Sequence, residues 1–366
     1  MMENQHASAD WFSKPGDSLR ALMQRRCITA SQLAQHIDGG IDSVRGLFEG
    51  TLAIDAAGAN GLAKAVGGSC DFWLRRQSSY EKALDRAVSV AASTEVNEWI
   101  DRVPAPGHKH RGKLDDAGLR AELRRRLLFF NVPTMETWQA RYGSICTDTR
   151  FRTSGSFSSL DAAVLLWLRR GELEADLIST RQWSAGNLQD RLNEIRKLSR
   201  IGQPARFLPK LRALCAEAGV AVVVVKTPAG CHASGATRLV TAEKAMMLLS
   251  FRHRADDQFW FTVFHEIGHM ILHGARTFVD CDFTPDDGSE REANDFASRC
   301  IVPASRLSEF ETLRPDRDAV IRFSVSVGVS PGLTVGQMQH REMIEHNRLN
   351  TLKRRWTWDE IDPALV

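Results

Sequence analysis

The sequence predicts a mainly helical chain with a small β-sheet, an α+β class. Three observations predict it. Apolar residues recur at helical spacing along most of the 366 residues. Between 220 and 252 the pattern breaks into short apolar runs, VAVVVV, TRLVT and AMMLLSFR, which read as strands. Directly after them, FWFTVFHEIGHMILH (259–273) returns to a helical rhythm. The length suits two or three domains. With 43% hydrophobic and 25% charged residues, the chain can build a core, and wholesale disorder is excluded.

The first segment, 11–90, consists of short helical patterns. Leu19, Leu22 and Met23 form one face, and Leu33, Ala34 and Ile37 a second. Asp38-Gly39-Gly40 supplies a tight turn, Ile41, Val44 and Leu47 form a third face, and Gly50 stops it. Short helix, turn, short helix is the pattern of a helix-turn-helix. AAGANGLAKAVG and CDFWLRRQSSYEKALDRA add two closing helices. The second segment, 91–204, opens with a break at RVPAPGHKHRG (102–112). It continues with helices at LRAELRRRLLFF, LDAAVLLWLRRGELEADLI and NLQDRLNEIRKLSR. Arg120, Arg124, Arg125 and Arg126 are expected to make a basic face there, and His108-Lys109-His110 a solvated cluster. The third segment, 205–305, starts with a helix ended by Gly219 and contains the three strands. A helical extension, 306–366, completes the chain.

The seven cysteines form no CxxC pair, which suits scattered reduced thiols. MMENQHASADWFSKPG lacks the pattern of a signal peptide, and no apolar run approaches a membrane span. The expectation is a cytoplasmic protein with no membrane partner. A net charge of +3 only mildly favours an anionic partner.

The chemistry sits in FWFTVFHEIGHMILH. On a helix from about Asp257, His265 and His269 lie one turn apart, so both rings can reach one ion. Glu266 points about 100° around the axis, placed to take a proton from water on the metal. Trp260, Phe264, Ile267 and Ile271 form an apolar stripe that anchors the helix, and Gly268 leaves room for a close neighbour. A third ligand comes from SEREANDFASRC, which offers Glu290 and Glu292. Glu290 precedes the apolar stripe Ala293, Phe296, Ala297 by three residues and is favoured, while Glu292 points more sideways. Asn294 can orient the carboxylate or a ligand histidine. His273 is a further group one turn on. Asp280, Asp282, Asp286 and Asp287 lie in the intervening loop.

FWFTVFHEIGHMILH followed by EREANDFASRCIVP is similar to the ImmA/IrrE family of metallo-endopeptidases. That resemblance implies a minimal zincin-like domain. It implies that His265, His269 and Glu290 hold zinc, with manganese as the alternative, and that Glu266 is the general base. Members of that family cleave transcriptional repressors, so it also implies a repressor or antitoxin-type protein substrate. Residues 15–90 resemble the lambda-repressor-like domain of HigA-type antitoxins, which implies double-stranded DNA as a partner.

Between Lys14 and Arg86 there are ten Lys/Arg and eight Asp/Glu, a net of +2, weak for a domain that neutralises phosphates. The expected recognition helix exposes Asp42, Ser43 and Arg45, of which Ser43 and Arg45 are the candidate DNA contacts. The function expected is a regulatory zinc endopeptidase with a DNA-binding helix-turn-helix, its peptide lying on an exposed edge strand near 237–252. The alternative is a DNA-binding repressor or antitoxin whose metal domain is structural or sensory. The sequence leaves an oligomer open.

Overall fold

The computed structural model describes residues 13–107, 114–148, 159–274, 277–281 and 288–365. The chain is mainly α with one four-stranded sheet and divides into two compact units, Met1–Ser179 and Thr180–Val366. The histidine cluster at 108–110 and Asp282, Asp286 and Asp287 lie outside the described residues, as does the side chain of Asp280.

The first unit is helical throughout: α1 (Pro15–Arg25), α2 (Ala30–Ala34), α3 (Gly40–Glu49), α4 (Ala56–Val66), α5 (Cys70–Val90), α6 (Ser93–Arg102), α7 (Asp116–Phe130), α8 (Met135–Asp148) and α9 (Ser159–Leu177). Thr29, Asp55, Ser69 and Asp115 each accept a backbone N–H three residues on and so start α2, α4, α5 and α7. Leu19, Leu33, Val44, Leu62 and Trp73 form a shared core for α1–α5. The second helix ends at Ala34, so Ile37 falls in the turn before α3 rather than on a helix face. Lys14 is buried, and its ammonium donates to the carbonyls of Glu49 (2.6 Å) and Leu128 (3.0 Å).

The expected basic face of the middle segment is not an open one. Arg126 is buried and donates to the Val103 carbonyl (2.8 Å) and to Glu122. Arg125 pairs with Glu122 (2.9 Å), and Arg124 with Asp85. Acidic side chains on α7 itself and on α5 consume the charge, which leaves Arg120 exposed.

The second unit runs α10 (Ala185–Leu198), α11 (Pro204–Glu217), β1 (Val220–Val224), β2 (Ala233–Thr241), β3 (Lys244–Leu249), α12 (Asp256–Leu272), β4 (Phe278–Cys281), α13 (Gly288–Ile301), α14 (Leu307–Glu311), α15 (Arg317–Val327), α16 (Pro331–His340) and α17 (Trp358–Ile361). The sheet order is β1-β3-β2-β4, with β1 parallel to β3 and β2 antiparallel to both of its neighbours. This corrects the expected edge strand. Residues 237–252 lie inside the sheet, and the edge beside β2 is β4. At four residues, β4 is too short to register as a periodic run.

Helix α12 packs on the sheet and against α13. Trp260, Phe264 and Ile267 are fully buried in the core it shares with α11 and the strands. A Cβ at Gly268 would lie 3.3 Å from the Ala293 Cα and 3.1 Å from the Phe296 ring, so the missing side chain lets α13 approach. The extension beyond 305 supplies Phe310, Val320, Phe323, Leu333, Met338 and Trp356 to the same core.

That extension also closes the start of α12. Asp256 accepts from the Arg354 backbone N–H (2.9 Å) and the Ser330 hydroxyl (3.0 Å). Asp257 pairs with Lys353 at 2.6 Å. No single helix among the described residues is long and apolar enough to cross a membrane.

Candidate metal centre

Helical spacing brings His265 and His269 to one side of α12, and α13 brings Glu290 to meet them. The two imidazole Nε2 atoms lie 2.9 Å apart. Glu290 places one carboxylate oxygen 3.2 Å from His265 Nε2 and the other 3.4 Å from His269 Nε2. All three side chains are buried.

Three donor atoms at zinc–nitrogen distance on a tetrahedron are about 3.3 Å apart. The observed separations are near that value. Two ring nitrogens face each other and a carboxylate caps them, a donor set that suits a divalent cation in the space between. Helices α12 and α13 therefore hold a group whose geometry and chemistry fit zinc, and manganese uses the same nitrogen and oxygen donors.

The surroundings fix these atoms. Asn294 Oδ1 lies 3.0 Å from His265 Nδ1, so that nitrogen donates and Nε2 carries the lone pair. Phe278 of β4 stacks on the His269 ring at 4.0 Å and an interplanar angle of 15°. Burial pulls His269 below the usual histidine range, only partly offset by the Glu290 hydrogen bond. Burial also pushes the Glu290 carboxyl up, but hydrogen bonds and charge from His265 and His269 outweigh it and hold the group down at about 2.

Glu292 stands apart from this cluster. It is exposed and lies 3.7 Å from His273, whose ring also meets the Ser289 carbonyl at 3.1 Å. Of the two glutamates, only Glu290 joins the histidine pair, because it sits on the α13 face turned toward α12.

Glu266 is fully buried beside the cluster, under β2. A Cβ built on Gly235 would lie 2.3 Å from Glu266 Oε1 and 2.7 Å from the Thr262 methyl, so bare backbone lies against the carboxylate. Sequence reasoning missed Gly235 and Phe278. A glycine within a strand signals close approach of another group, but residues 233–236 (ASGA) carry little strand propensity.

In the first unit, Ser43 and Arg45 lie on α3, both half-buried. The Arg45 guanidinium pairs with Asp42 at 2.5 Å and with Glu174 of α9 at 3.4 Å. The same helix pair is joined by Glu49 and Arg170 at 3.1 Å.

No curated protein matches the chain. Residues 218–334, 117 of the 366, match the family model described as the IrrE N-terminal-like domain of peptidase M78. That match begins two residues before β1 and ends within α16, so the sheet, both histidines, Glu266 and Glu290 all fall inside a segment similar to a metallopeptidase family.

Proposed function

We propose that the chain is a metal-dependent endopeptidase that cuts a regulatory protein of the repressor or antitoxin type. The observation that carries this reading is the convergence of His265, His269 and Glu290 beside a buried Glu266, within the segment that matches the peptidase family. A divalent ion in this donor set supplies Lewis acidity toward a peptide carbonyl and makes water a better acid. Zinc is the first candidate and manganese the second.

The chain's own residues do the rest. His265, oriented by Asn294, and His269, held under Phe278, present their Nε2 lone pairs. Glu266 accepts the proton of the attacking water and returns it to the departing amine, as a general base and then a general acid. The buried setting strengthens each of these electrostatic contacts relative to water. The substrate backbone pairs with the open side of β4, the edge strand next to the cluster. The helical segment 11–90 brings the substrate regulator, or the DNA that the regulator occupies, to the peptidase.

Glu266→Gln tests this reading. It keeps the metal donors and removes the base. The expected result is full metal occupancy with loss of cleavage, and capture of an uncut partner by the variant. Full biological effect from the metal-loaded variant would sink the peptidase reading and leave the helical unit as the functional part, as in a repressor or antitoxin.

A further inference from the structure

Three histidines follow one another a helical turn apart, His265, His269 and His273, and the first two belong to the donor set while the third does not. Their partners on α13 come in the reverse order. His265 Nδ1 meets Asn294 Oδ1 at 3.0 Å, His269 Nε2 meets Glu290 at 3.4 Å, and His273 Nε2 meets the Ser289 carbonyl at 3.1 Å. The third contact has a fixed polarity, because a carbonyl oxygen only accepts. The His273 ring therefore donates through Nε2.

Glu290 is the third residue of α13 and lies in its first turn. A helix is least constrained there, since its first N–H groups have no partner within the helix and terminal turns fray. A carboxylate that has to stay against two imidazoles needs its backbone held on both sides. Downstream, Ala293 packs on Gly268, and Asn294 meets His265. Upstream, His273 reaches Ser289, the residue immediately before Glu290.

His273 is itself well fastened. It caps the end of α12, where its backbone N–H donates to the His269 carbonyl at 2.9 Å. Its ring lies 5.5 Å from that of Phe278, the residue stacked on His269. Only 12% of its side chain is exposed. Glu292, 3.7 Å from the ring, is 67% exposed, and water screens that pair, so the hydrogen bond to Ser289 is the contact that matters.

We propose that His273 is a positioning residue for the metal centre: it pins the start of α13 and so keeps Glu290 against His265 and His269, without binding the ion itself. The proposal rests on the metal-binding reading of the cluster and not on the peptidase chemistry. The role asks position 273 for a hydrogen-bond donor at about the reach of an imidazole Nε2. Gln supplies one. Phe keeps a ring beside Phe278 and has no donor.

Zinc affinity of the full chain, measured by competition with a chromophoric chelator, tests this role. His273→Phe should weaken zinc by about 10–100-fold, the range for a residue that orients a metal ligand. His273→Gln should recover most of that loss. With cobalt in place of zinc, His273→Gln should reproduce the visible spectrum of the unaltered chain, which a variant missing a donor atom cannot do. Circular dichroism of the metal-free proteins confirms folding, with His273→Ala as the second donor-free variant. Unchanged zinc affinity in the donor-free variants overturns the proposal. So does a loss in His273→Gln as large as that in His273→Phe, and so does an altered cobalt spectrum in His273→Gln, which would make the ring a ligand. An unaltered chain that binds neither zinc nor cobalt would reject the metal centre, and the proposal with it.

Discussion

Gly235 and Glu266 are in direct backbone-to-carboxylate contact: a methyl group at position 235 would come within 2.3 Å of Glu266 Oε1. The strand cannot move away cheaply, because Gly235 is paired on both sides, with Leu249 and with Asp280. Gly235→Ala therefore shifts Glu266, the proposed base, and leaves the three candidate metal donors alone. Zinc content should stay at one per chain, while kcat falls by about 10²-fold, the penalty of roughly an ångström of misplacement. Loss of zinc in this variant would mean that Gly235 supports the whole sheet edge rather than the base.

The two glutamates of α13 should behave differently. Glu290→Ala removes a donor and is expected to abolish stable zinc binding, whereas Glu292→Ala should change it less than twofold. Asn294→Ala, which frees the His265 ring, should weaken zinc by about 10–100-fold. Competition with a chromophoric chelator measures all three. Equal effects at 290 and 292 would contradict the geometry of the cluster.

Asp256 makes stability depend on pH. Burial pushes its carboxyl from the ordinary 3.8 to about 6, against the lowering effect of the Arg354 and Ser330 hydrogen bonds. Its folded value lies above its unfolded value, so the stability it gives is fully present below pH 3.8 and is lost as pH rises through 6. Asp256→Asn should keep the packing without the titration. The difference in unfolding free energy, wild type minus variant, is expected to fall between pH 4 and 6.5, as followed by hydrogen exchange of the first turns of α12. A difference that stays flat across this window would remove Asp256 from the account.

Arg45 is the residue through which α3 would read DNA, and it is already paired with Asp42 and Glu174. Nucleic acid has to compete for that guanidinium. Glu174→Gln should therefore tighten binding to a short duplex, and Arg45→Ala on top of it should cancel the gain, read by fluorescence anisotropy at fixed salt. If Glu174→Gln changes nothing, α3 is not the contacting helix.

Much of the second unit was legible in the sequence because its signals are local. The spacing of His265 and His269, the stripe through Trp260, Phe264 and Ile267, and the three apolar runs before them all fall within one or two turns of chain. The choice of Glu290 followed from helical phase alone, and the structure puts that carboxylate against both imidazoles. The misses are non-local. Nothing near Phe278 announces that it will stack on His269, and β4 needs only four residues because β2 supplies its hydrogen bonds. The basic residues of α7 were read as a face, but their partners Glu122 and Asp85 belong to the pairing of helices, which periodicity does not report. Gly235 was overlooked for the same reason: its importance lies in what sits above it.

The clasp at the start of α12 also sets an order of events in synthesis. A nascent chain that has emerged only as far as Val302 already contains His265, Glu266, His269 and Glu290. It does not yet contain Ser330, Lys353 or Arg354, and Asp256 and Asp257 must wait for them in a half-built core. Trp356, which shares that core, follows later still. A growing polypeptide thus holds the candidate metal donors before the frame that fixes the start of α12 is complete.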